Sequence, residues 1–206
     1  MIDLEPAWKS YVVTTSKPLF TPEQCDEIIR LGQRQPPEVA KIGTSGKYEE
    51  DPTKLYDAST VNKDKRITTI SWIPFNSPLT QPMYNIVDAW LKNINVNHFG
   101  FEGVKITEQA QYTEYQVNSH YDWHTDSDLF MTKQPPVRKI SMSCLLSKED
   151  EFEGGDFQVQ DHTNKPIHLK QGHAVFFASF VRHRVTPVTK GNRKSLVMWF
   201  GGPPLK

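Results

Sequence analysis

Ile140, Met142, Cys144 and Leu146 alternate with Ser141 and Ser143. That is the period-two pattern of a half-buried strand. It belongs to a longer run of short apolar stretches that begins near residue 104. The stretches predict strands over 104–116, 138–146, 156–161, 166–169, 173–180, 182–188 and 194–200. Gly154-Gly155, Gly172 and Gly191-Asn192 are the turn punctuation between them. Upstream the period changes. Met83, Ile86, Val87, Trp90, Leu91 and Ile94 recur at three- and four-residue spacings, one face of a helix over 79–94. A first helix is predicted over 22–34. Thr21 is a good N-cap, Pro22 suits the first position, Gln24 completes a capping box, and Pro36-Pro37 stops the helix. Arg66 to Ile73 favours strand through its β-branched and aromatic content.

Helices followed by many short strands imply an α+β chain whose strand-rich part closes as a two-sheet jelly roll. A single domain over 1–206 is expected, with 1–103 as helical support and irregular loop and 104–200 as the core. Residues 38–65 are polar and without periodicity, a solvated loop or a lid over a site. No internal repeat is visible.

Composition narrows the function classes. The chain has 24 basic and 24 acidic residues, so the basic excess of a broad nucleic-acid footprint is missing. The two cysteines, Cys25 and Cys144, make neither a disulfide framework nor a cysteine zinc site. Cys144 reads as a small buried hydrophobe. No apolar run approaches the ~20 residues of a membrane helix. The first residues carry charges and no signal-peptide core. The expected location is the cytoplasm.

The sharpest chemical feature is His124-Thr125-Asp126. Two ligands one residue apart can point to one side at a strand end. With a second histidine they would form the two-histidine, one-carboxylate set that binds iron(II) and leaves three positions open. His183, after the apolar run Ala174 to Phe180, is the candidate. Arg193 follows ten residues later, beyond Gly191-Asn192. A turn there would bring the next strand back beside the one carrying His183 and aim Arg193 at the metal region. A guanidinium fork holds a carboxylate bidentately, and Ser195, two residues on, shares its face.

The segment Tyr112 to Trp199 resembles the catalytic core of the 2-oxoglutarate/Fe(II) dioxygenases. It is most similar to the prolyl 4-hydroxylase-like branch with its short PKHD-type hydroxylases. The resemblance rests on Tyr115, on Tyr121-Asp122-Trp123-His124-Thr125-Asp126, and on the strand from Arg138 to Leu146. Gly154-Gly155, Gly172-His173-Ala174, then His183, Pro187-Val188, Gly191-Asn192-Arg193 and Trp199 follow in order. It implies a double-stranded β-helix, cupin-like fold. It implies Fe(II) held by His124, Asp126 and His183, with 2-oxoglutarate and O₂ as co-substrates. Arg193 would grip the distal carboxylate, assisted by Tyr115 or Ser195, with Tyr112 a weaker alternative. Tyr121 and Trp123 would line the substrate cleft or pack in the core. His120 lacks a partner acid at the right offset and is expected at the surface or behind the ligands.

The implied reaction hydroxylates an unactivated C–H, with succinate and CO₂ released. A peptide or protein substrate, such as a peptidyl proline, is expected. Arg193 stands where prolyl hydroxylases often have lysine. Asp126 favours hydroxylation over halogenation. The competing readings are the same chemistry on a free small molecule or an alkylated nucleic acid, and a non-catalytic cupin-like metal-binding protein.

Overall fold

Thr21 accepts the backbone N–H of Gln24 on its hydroxyl and donates its own N–H to the Gln24 side chain. This capping box opens helix α1 (Pro22–Gln33) at the expected residue. The computed structural model describes residues 10–40, 64–127, 135–161 and 163–204. Helix α2 spans Gln81–Ile94 and runs into a π-helical turn, Asn95–Phe99. In the N-terminal half, strand β1 is Val12–Thr14, β2 Glu38–Val39, β3 Arg66–Ile67 and β4 Thr69–Ile73. Then come β5 (Lys105–Ile106), β6 (Ala110–Tyr115), β7 (His120–His124) and β8 (Val137–Leu145). The last group is β9 (Phe152–Gly154), β10 (Phe157–Val159), β11 (Pro166–Ile167), β12 (Ala174–Ala178), β13 (His183–Val185), β14 (Val188–Gly191) and β15 (Arg193–Gly202).

Among the described residues the strands form two main sheets and a two-stranded β14–β9 ribbon. The larger sheet runs β1-β12-β8-β15-β6-β4-β2, with β5 also on β15; the smaller runs β11-β10-β13-β7-β3. Two facing sheets with interleaved order are the expected double-stranded β-helix, and the class is α+β. The helices cover the outer face of the larger sheet. Ile28, Leu31, Met83, Val87 and Leu91 pack there with Ile140, Met142, Cys144, Phe176, Leu196, Met198 and Phe200. Each such side chain contributes about 1.5–3 kcal/mol by leaving water. A second, smaller cluster fills the space between the sheets: Tyr115, Phe157, Val175, Phe177, Val185 and Val188.

Several expectations need correction. The 138–146 strand is buried on both faces, because its serines point into the gap between the sheets. The 66–73 stretch breaks at Thr68, and its two pieces join different sheets. Residues 182–188 divide in the same way into β13 and β14. The strand after Gly191 does not return beside the one carrying His183. It crosses to the larger sheet and pairs with β6 and β8, so Arg193 faces the His183 strand across the gap. The 38–65 lid reading and most of the 127–137 loop lie outside the described residues. No described helix is long and apolar enough to cross a membrane.

Candidate active site

His124 and His183 are direct cross-strand partners on β7 and β13. Their ring centroids are 4.1 Å apart. Each Nδ1 meets a carbonyl two residues back: His124 meets Asp122 O at 2.8 Å and His183 meets Val181 O at 3.0 Å. A ring nitrogen facing a carbonyl carries the proton, which leaves Nε2 as the lone-pair atom. Both Nε2 atoms aim at Asp126, at 3.6 Å from Oδ1 for His124 and 3.6 Å from Oδ2 for His183. One ligand atom from each residue lies within 4.8 Å of the other two. Among the described residues this is the one such group of histidine, cysteine and acid side chains.

The protonation states suit a cation. Burial first, and the neighbouring His183 second, pull His124 down to about 3, so its imidazole is neutral at physiological pH. Burial works against charge on Asp126. His183 and His124, then Arg138 and the Ser141 hydroxyl, outweigh it and hold the carboxyl below its usual range. Two imidazoles that each direct Nε2 at one carboxylate fit iron(II).

Arg193 lies opposite, with 3% of its surface exposed. Its register partner is Tyr115, whose ring sits 5.5 Å from the guanidinium carbon. Among the described residues no carboxylate forms an ion pair with Arg193. Ser195 shares its strand and face, and its buried hydroxyl has no hydrogen-bond partner among them. A buried cation beside an orphaned hydroxyl fits the carboxylate end of a small diacid. Tyr115 is fully enclosed and feels Arg66, Arg193 and Asp126, so its phenol connects the two ends of the site. Burial raises that phenol above its usual range. Gly155 makes room for Arg193. At φ 63°, any Cβ there would come within 2.8 Å of Arg193 Cδ.

The other residues singled out in the sequence fall in different places. Tyr112 points to the helix side, where its hydroxyl donates to Glu114 and its ring fills the space above Gly32. It cannot reach the site. Tyr121 stacks on His124 with centroids 3.4 Å apart, and Arg66 lies over its other side at 4.3 Å. Trp123 packs under Arg184, which alternates with the inward His183 and Val185. His120 meets the carbonyls of Asn118 and Asp64, away from the triad.

Sequence reasoning missed Arg66 and Arg138. Arg66 is buried and donates to Thr68. Arg138 forks onto Glu108, lies 4.2 Å over the Trp199 ring and reaches the Asp126 carbonyl. The only signal for either was a basic residue at the head of a strand.

Residues 110–201 match the family model described as the 2OG-Fe(II) oxygenase superfamily. The cofactors of that superfamily are Fe(II), 2-oxoglutarate and O₂. A PKHD-type hydroxylase of Saccharophagus degradans is 30% identical over 131 residues, 62% of this chain and 58% of the relative. The chain spans about half the length of the curated relatives it matches. A Pseudomonas putida prolyl-4-hydroxylase has the same fold, with TM-score 0.65, 18% identity, and coverage of 93% of this chain and 92% of that one. So has a Trichoplax adhaerens prolyl hydroxylase solved with a peptide fragment of hypoxia inducible factor. Its TM-score is 0.67 at 15% identity, covering 93% of this chain and 84% of that one.

Proposed function

We propose that this protein, with a 2OG-Fe(II) oxygenase core over residues 110–201 as its premise, is a dioxygenase that hydroxylates a peptidyl residue such as proline. The carrying observation is the His124/Asp126/His183 donor set together with the buried Arg193, which meets no carboxylate in an ion pair among the described residues and which Tyr115 links to Asp126. His124, Asp126 and His183 hold Fe(II). Arg193 binds the distal carboxylate of 2-oxoglutarate, with Ser195 donating a hydroxyl and Tyr115 bordering the same end. When bound, iron(II) would activate O₂ for attack on an unactivated C–H, with 2-oxoglutarate oxidised to succinate and CO₂; one oxygen atom of O₂ goes to succinate and the other to the C–H. The walls from Phe157, Val175, Phe177 and Val185 keep water from that chemistry.

The substrate cleft is assigned to Tyr121, whose ring stacks on His124. Trp123, packed under Arg184, is assigned to strand pairing. A peptide substrate is supported by the prolyl hydroxylase relatives, one of them solved with a peptide. The whole chain acts as one catalytic unit, since β1, β3 and β4 from its first half complete both sheets.

The test is a screen of proline-bearing peptides for release of succinate and gain of one oxygen atom in the peptide. The reading expects both, each dependent on added iron(II), 2-oxoglutarate and O₂. Peptide oxidation without 2-oxoglutarate, or no turnover with any peptide alongside turnover of a small molecule, would overturn the assignment.

A further inference from the structure

We propose that Arg138, locked by Glu108 and Trp199, is the positioning residue for Asp126 and sets the metal affinity of the site. The inference rests on the reading of His124, Asp126 and His183 as metal ligands.

Asp126 differs from its two partners in how it is held. His124 and His183 sit in a strand ladder. Asp126 lies past the end of β7, where no ladder fixes its backbone. Its N–H donates to Ser179 O at 2.9 Å, and Ser127 N–H donates to the same carbonyl at 3.0 Å. Its own carbonyl accepts from Arg138 Nη1 at 3.4 Å.

Strand alternation alone would not bring Arg138 there. Ile140 and Met142 face the helices, and Arg138 has their parity. The register between β8 and β15 slips, however. Phe200 pairs with Ile140 and Gly201 pairs with Arg138, leaving Lys139 as the extra residue of a bulge. Bulges re-aim side chains, and this one turns Arg138 toward Asp126 and Trp199. The register partner of Arg138, Gly201, has no room for a side chain, because a Cβ there would meet Thr107 Oγ1 at 2.7 Å.

Once inward, the guanidinium has little freedom. Nε donates to Glu108 Oε1 at 2.6 Å and Nη2 donates to Glu108 Oε2. The guanidinium carbon Cζ lies 4.2 Å from the centroid of the Trp199 ring. The fork and the ring fix its orientation, and the remaining Nη1 points at Asp126. A planar fork is required. A lysine ammonium cannot hold Glu108 bidentately, cover Trp199 and reach the carbonyl at once. Arg138 also places positive charge near the Asp126 carboxylate.

The experiment is a Co(II) titration of the metal-free protein, read by its visible absorption spectrum, with thermal unfolding run in parallel. Removing Arg138 alone would strand Glu108, so the deciding variant is the double substitution Arg138→Met with Glu108→Gln. The expected result is one Co(II) per chain in the wild type. The double variant should remain folded, show an altered Co(II) spectrum and bind roughly tenfold to hundredfold more weakly. Arg138→Lys should not restore the wild-type spectrum. Glu108→Gln alone, which loosens the fork, should give the same spectral change in smaller degree, and it decides the matter if the double variant does not fold. Wild-type affinity and spectrum in the folded double variant, or in Glu108→Gln should it stand alone, would overturn the proposal. An Asp126→Ala control that binds Co(II) like wild type would instead overturn the metal reading, and the inference with it.

Discussion

His124 and His183 stand directly opposite each other in the β7–β13 ladder, with each Nδ1 tied to the carbonyl two residues upstream. That register makes two residues 59 positions apart in the numbering a preformed pair of Nε2 donors, with Asp126 between them. Losing one donor should therefore damage the metal site without unfolding the sheets. His183→Ala and Asp126→Ala are expected to lose bound iron and substrate-dependent succinate formation, with thermal unfolding still cooperative. Metal analysis and a succinate assay on the same samples check this.

Arg193 is a buried cation with no carboxylate partner among the described residues. Such a charge costs stability until an anion arrives. Arg193→Met should raise the stability of the protein without 2-oxoglutarate by about 1 kcal/mol. The same change should raise the 2-oxoglutarate requirement roughly tenfold to hundredfold, the loss of one charge-assisted fork. Thermal shift with and without 2-oxoglutarate separates the two effects, because the variant should need about tenfold to hundredfold more ligand for the same gain.

Gly155 has φ 63° and lies against the Arg193 side chain. Gly155→Ala adds both backbone strain and a clash with Cδ, and should cost more than about 1 kcal/mol. Its signature is a higher KM for 2-oxoglutarate than a comparably destabilised variant in the helical layer, such as Val87→Ala.

The pH dependence follows from His124. Burial and His183 hold its folded value near 3, against an ordinary 6.5. Between these values the unfolded chain takes up a proton that the folded chain refuses. The contribution of His124 to the stability of the metal-free protein is therefore fully present above 6.5 and falls as the pH drops toward 3. Its slope is at most about 1.4 kcal/mol per pH unit. Urea midpoints of metal-free wild type and His124→Gln, compared from about pH 7 to about pH 5, should show a shallower decline in the variant.

Much of this site was legible in the sequence because its parts are chemically distinctive and ordered along the chain. The His-x-Asp pair, the second histidine and the arginine after a glycine turn each signal a role; the structure clusters His124, Asp126 and His183, with Tyr115 near both Asp126 and Arg193. The sheet that holds them was less visible. In β7, His120 to His124 has no apolar alternation, since Tyr121 and His124 serve the site rather than a core. Strand β15 was expected beside the His183 strand because a glycine turn signals a reversal. A turn does not state which sheet the chain enters next. Arg138 was hidden for a similar reason: a bulge shifts a side chain to the other face without leaving a mark in the residue pattern. The serines of β8 read as a solvent face, because sequence alone does not distinguish water from a polar interior.

The most direct measurement is a crystal structure of the protein grown without O₂ in the presence of manganese(II), as a redox-inert stand-in for iron(II), and 2-oxoglutarate. The account predicts one metal ion bonded to Nε2 of His124, Nε2 of His183 and the Asp126 carboxylate, with the far carboxylate of 2-oxoglutarate on the Arg193 fork. An ion bound elsewhere with these three side chains empty, or 2-oxoglutarate seated away from Arg193, would contradict it.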